Sequence, residues 1–205
     1  MTTDNDVIQA WLDRATALLE EHAAELDELD RQVGDGDHGT NMLRGFRVAR
    51  ESLVATDSPA RNVKHVGMAL VSNVGGASGP LFGTFFLRAG QAWASNISTA
   101  SLARAMRLGL DGVVARGKAD VGDATMVDAL APAVESLEAS AAADLPLPEA
   151  VTTAIEAAHE GAQSTKPLAA KRGRASYLGE RSIGHLDPGA VSASLLVSTL
   201  SADRA

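Results

Sequence analysis

The sequence predicts an all-α fold, an antiparallel barrel or closed bundle of about eight helices, and three observations predict it. Apolar residues recur in steps of three and four along most of the chain, the spacing that turns one face of a helix toward a core. The alternation that a half-buried strand needs is hard to find, and aromatic residues form 3% of the chain. Helix faces rich in alanine and glycine let neighbours approach closely, and short connections favour antiparallel neighbours.

The elements follow in order. Val7, Ile8, Trp11, Leu12, Ala15, Leu18 and Leu19 mark a first helix over most of residues 5 to 28. Thr40 and Asn41 open a second, which carries Met42, Leu43 and Phe46. Val63, Val66, Leu70 and Val71 define a third, and Leu81, Phe82, Phe85, Phe86 and Ala89 a fourth. Leu102, Met106, Leu110, Val113 and Val114 give the fifth; Met126, Val127, Leu130, Val134 and Leu137 give the sixth. Val151, Ile155 and Ala158 mark the seventh. The eighth starts at Asp187-Pro188-Gly189 and runs to about Thr199. There Asp187 can cap free amides, and Pro188 lacks an N–H that would have no helical partner anyway. The glycine- and charge-rich residues 166–188 show no periodicity and read as one loop packed on the domain.

A chain of 205 residues fits a single domain over positions 1–205. A net charge of −8 and a pI near 5.1 argue against general affinity for nucleic acid or anionic lipid, since both attract basic surfaces. There is no cysteine, so disulfides and thiolate metal sites are excluded. No secretory signal opens the sequence and no run of about 18 apolar residues could span a bilayer. A cytoplasmic protein with no membrane or nucleic-acid partner is the expectation.

Chemistry concentrates in four stretches. Asp30, Asp35 and Asp37 supply three hard carboxylate ligands, with Gly34, Gly36 and Gly39 letting the backbone turn between them. That set suits Mg²⁺, although a polar turn with solvated aspartates would have the same composition. A calcium loop starting at Asp35 would need a bidentate Glu where Phe46 stands, so that reading fails. His38 follows the acidic run and can hydrogen-bond a phosphate, become a phosphorylated intermediate, or serve the fold alone; the amides of the helix opening at Thr40 and Asn41 favour an anion. Gly75-Gly76-Ala77-Ser78-Gly79-Pro80 leads directly into a helix and can cradle a phosphate or form a plain turn; it is neither a Walker A loop nor a dinucleotide fingerprint. Residues 117–126, Gly-Lys-Ala-Asp-Val-Gly-Asp-Ala-Thr-Met, form a third glycine-bearing loop, whose Met126 suits either a purine face or the core. Lys166, Lys171, Arg172, Arg174 and Arg181 gather five of the 18 basic residues, which in an acidic protein fits a local phosphate clamp or a solvated loop.

Taken together, Gly34-Asp35-Gly36-Asp37-His38-Gly39, Gly75-Gly76-Ala77-Ser78-Gly79-Pro80, Gly122-Asp123-Ala124-Thr125-Met126 and the run from Gly173 to Ser182 resemble the nucleotide-binding L subunits of dihydroxyacetone kinases, over nearly the whole chain. The resemblance implies an antiparallel eight-helix barrel with the nucleotide at one end, held through two Mg²⁺ ions on Asp30, Asp35 and Asp37. It implies that His38, Thr40, Asn41, Ser78 and Gly79 meet phosphates or metal-bound groups, and that Gly117, Met126, Asp187, Pro188 and Gly189 border the nucleoside. Gly39 and Thr125 belong to the same cofactor-binding set, and Arg174 steadies the phosphate chain and the charge of the transition state. Chain length then points to the phosphotransferase-dependent branch, in which this domain is a separate subunit. In that branch ADP acts as a coenzyme: a phosphohistidine on an M subunit converts it to ATP, whose γ-phosphoryl passes to dihydroxyacetone on a K subunit. The alternatives are a nucleotide-binding subunit of a kinase for another small ketose or a fatty acid, or a non-catalytic Mg-nucleotide-sensing regulatory module.

Overall fold

The computed structural model describes residues 4–201. Eight α-helices carry the fold: α1 Asp4–Val33, α2 His38–Glu51, α3 Pro59–Asn73, α4 Ser78–Ala92, α5 Thr99–Gly117, α6 Met126–Ala142, α7 Leu147–Ser164 and α8 Pro188–Ser198. No strand occurs among the described residues. Each helix packs on the next, and α8 returns to α1, so the bundle closes into a ring. Odd-numbered helices therefore finish, and even-numbered ones begin, at the same end of the barrel.

Local sequence sets the helix boundaries. Ser58 accepts from the amide of Arg61 with Pro59 in the first turn, and Thr125 and Asp128 form a capping box that opens α6. Capping bonds of this kind contribute about 1 kcal/mol each. Asp187 accepts from the amide of Ala190 at 2.7 Å and starts α8 as its sequence predicts. Lys118 closes α5 in the left-handed region, φ +49.

The core runs along the ring. Leu12, Leu19, Leu26, Phe46, Leu70 and Leu137 are fully buried, each contributing about 1.5–3 kcal/mol relative to exposure. Trp11, Phe46 and Phe86 meet at ring-centroid distances of 5.5 to 6.2 Å. Inside the barrel lies a cavity of about 640 Å³, lined by apolar residues including Trp11, Phe85, Met106, Val151 and Leu196. It lies toward the end of the barrel where α1 starts and α8 finishes, away from the acidic loop.

Two expectations change. The first helix continues to Val33, so Asp30 stands on its last turn rather than in a loop. Residues 166–188 are not wholly irregular: Arg174–Ser182 winds into a 3₁₀ segment, interrupted at Gly179 where φ is +57. No helix among the described residues is long and apolar enough to cross a membrane.

Candidate functional site

The barrel end that receives the N-termini of α2, α4, α6 and α8 presents leading amides and four positive dipole ends, a setting that favours an anion. Three carboxylates converge beside it. Asp30 accepts from the amides of Gly36 at 2.8 Å and Asp37 at 3.0 Å, and so draws residues 34–37 over the end of α1. Gly36 makes the turn with φ +77. One oxygen each from Asp30, Asp35 and Asp37 then lies within 4.8 Å of the others, with Asp30 half-buried and its partners exposed. Like charges this close repel unless a cation joins them. The chain supplies one itself, because the guanidinium of Arg174 pairs with Asp35. Hard oxygen donors in this arrangement fit Mg²⁺.

His38 opens α2 and is 7% exposed. Its Nε2 lies 2.9 Å from Ser192 Oγ and its Nδ1 3.2 Å from Ser78 Oγ. The Ser192 hydroxyl donates to the carbonyl of Gly189, so it accepts from His38 Nε2–H. That tautomer leaves Nδ1 to accept from Ser78. Burial lowers the His38 pKa against the opposing pull of Asp30, Asp27 and Asp37, which keeps the ring neutral. The next residue, Gly39, is required by packing: a Cβ there would lie 2.1 Å from the carbonyl oxygen of Ala23 in α1.

The remaining residues of this side divide. Ser78 and Gly79 begin α4 beside His38, with no side-chain cap on the helix, so its leading amides face the opening. Thr40 turns the other way, its amide and hydroxyl donating to Asp27 at 2.9 and 2.6 Å. Asn41 is buried and accepts from Arg44, which also donates to the carbonyl of Asn73 and so ties α2 to the end of α3.

Across the opening, Gly117 is the last residue of α5 and Thr125 caps α6. Met126 is buried in the core, and a Cβ on Gly189 would come within 3.8 Å of it, so the starts of α6 and α8 touch. Pro188 is buried at the head of α8. Burial pushes the Asp187 carboxyl up to about 7, aided by the charges of Asp128 and Asp30 and opposed by the amides of Ala190 and Gly189.

The five basic residues do not form one clamp. Lys171 and Arg172 pair with the buried carboxylate of Asp123 at 2.9 and 3.3 Å, Arg174 turns to Asp35, and Lys166 and Arg181 lie exposed. Four contributors escape the sequence reading: Asp27, Asp123, Asp128 and Ser192. The Thr-x-x-Asp spacing of Thr125 and Asp128 is a capping signal that could have revealed Asp128, and Asp27 lies one turn before Asp30 on the same helix face. Ser192 carries no local signal.

The sequence profile of the DAK2 domain family matches residues 32–202. The chain belongs to this family. It is 46% identical over 204 residues to the ADP-binding subunit DhaL of the PEP-dependent dihydroxyacetone kinase of Escherichia coli K12, covering 98% of this chain and 97% of the relative. It is 43% identical over 200 residues to the ADP-binding subunit DhaL of PEP-dependent dihydroxyacetone kinase 1 of Listeria innocua, covering 96% and 95%. The crystal structure of the dihydroxyacetone kinase from C. freundii in complex with AMP-PNP and Mg²⁺ superimposes with a TM-score of 0.71 at 31% identity, over 96% of this chain and 33% of that one. The family fold is thus the same closed, all-helical ring.

Proposed function

We propose that this chain is the ADP-binding subunit of a PEP-dependent dihydroxyacetone kinase, working in the cytoplasm. The observation that carries the reading is the convergence of Asp30, Asp35 and Asp37, with Arg174 against them, at the barrel end where four helices begin. Full-length relatives of that description, and a related fold that binds AMP-PNP with Mg²⁺, support it.

Asp30, Asp35 and Asp37 would hold two Mg²⁺ ions, which when bound supply positive charge to the phosphates. His38, Gly39, Asn41, Ser78 and Gly79 line the phosphate side, with the first amides of α2 and α4 as donors and the His38–Ser78 bond fixing the serine, while Thr40, bonded to Asp27, braces α2 against α1. Gly117, Thr125, Met126, Asp187, Pro188 and Gly189 border the nucleoside. Arg174 leaves Asp35 for the phosphate chain and stabilises charge as the phosphoryl group moves. Such transfer has a loose transition state and needs positioning and charge more than covalent chemistry, so no nucleophile is required of this chain. The phosphoryl donor is a phosphohistidine on an M subunit, and dihydroxyacetone is held on a K subunit.

Reconstitution tests the reading. With PEP, the general phosphotransferase proteins, M and K subunits and catalytic ADP, this chain should make dihydroxyacetone phosphate and Arg174→Gln should not. Product formation that is indifferent to this chain, or a requirement for stoichiometric ATP, would refute it.

A further inference from the structure

Residues 170–182 form a loop closed at its own base, since the buried Ser182 hydroxyl accepts from the amide of Ala170 at 2.8 Å. Its ascending limb, Lys171 to Arg174, is exposed throughout. An exposed limb of this kind would hold no long side chain in place by itself, because an arginine alone has about 2 kcal/mol of rotamer entropy to lose. Yet Arg174 reaches Asp35, in the loop between α1 and α2.

Asp123 supplies the missing constraint. It lies in the loop between α5 and α6 and is 4% exposed. Its carboxylate accepts from Lys171 Nζ at 2.9 Å and lies 3.3 Å from Arg172 Nε, while its carbonyl oxygen accepts from the Lys171 amide at 3.0 Å. Lys171 Nζ also donates to the carbonyl of Gly122 at 3.1 Å. A buried carboxylate left without partners is costly, so this pairing is strongly specified. The amide of Asp120 donates to the same carboxylate at 3.1 Å, tying it into its own loop. Directly after the pinned pair, Gly173 turns the backbone with φ +62, and Arg174 follows.

We infer that Asp123 is a positioning residue for Arg174: by pinning Lys171 and Arg172 it fixes where the arginine enters the site, and it couples the loop beside the nucleoside to the cation facing the phosphates. The inference rests on the reading of Arg174 given above. Asp123 itself touches no reacting group.

The test uses Asp123→Asn in the full chain, alone and combined with Arg174→Gln, with two readouts. Hydrogen exchange of amides 171–178 in the nucleotide-free protein should speed up at least about fivefold while the helices keep their protection. In the reconstituted assay turnover should fall about tenfold with ADP affinity changed less than about threefold, and Asp123→Asn should cost less than about twofold once Arg174 is already Gln. Unchanged exchange at 171–178, or an undiminished loss in the Arg174→Gln background, would overturn the inference. If Asp123→Asn does not fold, Lys171→Gln and Arg172→Gln, both at exposed side chains, should reproduce the same pattern more weakly, and no effect from either would equally overturn it. A wild-type chain that supports no transfer would refute the functional reading and leave the exchange experiment to decide whether Asp123 anchors the loop.

Discussion

His38 on α2 and Ser192 on α8 are joined by a hydrogen bond of 2.9 Å across 154 positions of sequence, and through it the two helices that flank the opening share one buried imidazole. The same ring accepts from Ser78 on α4, so three helix starts are locked together by a single neutral histidine.

A ring with both nitrogens bonded to serines positions groups rather than carrying a phosphoryl group. Ser192→Ala should cost about 1–3 kcal/mol, because it leaves a buried N–H unpaired. Urea unfolding measures that loss. No phosphohistidine should be trapped at His38 during turnover, and a stable one found there by mass spectrometry at neutral pH would show that the ring is a nucleophile.

The three aspartates should not be equivalent. Asp35→Asn removes a ligand and the exposed ion pair with Arg174, which contributes little to stability, and should abolish Mg²⁺-dependent ADP binding while leaving the unfolding midpoint nearly unchanged. Asp30→Asn also weakens the bonds from Gly36 and Asp37 that shape the turn, so it should lose binding and stability together. Calorimetric titration with thermal unfolding separates the two cases, and equal stability losses would contradict the assignment.

Gly39→Ala opposes two effects. Helix propensity favours alanine by about 1 kcal/mol. The new Cβ, however, would lie 2.1 Å from the Ala23 carbonyl oxygen, a backbone atom that cannot swing aside. Overpacking of this kind costs about 1–3 kcal/mol, so the clash should win and the variant should unfold earlier in urea.

Asp187 gives the stability a sign that can be checked. Its folded pKa is raised from 3.8 to about 7, so between those values the native state holds a proton that the unfolded chain has released. Its contribution to stability should therefore fall as pH rises from about 4 to about 7 and level off above. Asn caps a helix as well as Asp does, so Asp187→Asn should remove this slope and keep α8. Unfolding with a chelator present, compared between the two proteins across that range, measures the difference; parallel profiles would contradict it. His38, whose pKa is lowered, acts in the opposite direction below its ordinary value and cancels in the comparison.

The ring of helices was legible because each buried face repeats every three to four residues, and the start of α8 because Asp187 and Pro188 carry local capping chemistry. Asp30, Asp35 and Asp37 were legible as a set because they are close in sequence. What could not be read is the pairing over distance. Thr40 donates to Asp27 and Lys171 pairs with Asp123, and neither bond has a trace in local pattern, so the basic cluster looked like one clamp when two of its members serve as anchors. The extension of α1 to Val33 was hidden by the polar residues of its last turns, where only the packing against α2 decides.

The most direct test of the account is a native mass spectrum of the purified protein and of Asp35→Asn, each incubated with ADP and Mg²⁺ and then desalted. The wild-type protein should carry one ADP with magnesium and the Asp35→Asn protein neither. Equal ADP occupancy in both would contradict the claim that the aspartate cluster holds the nucleotide.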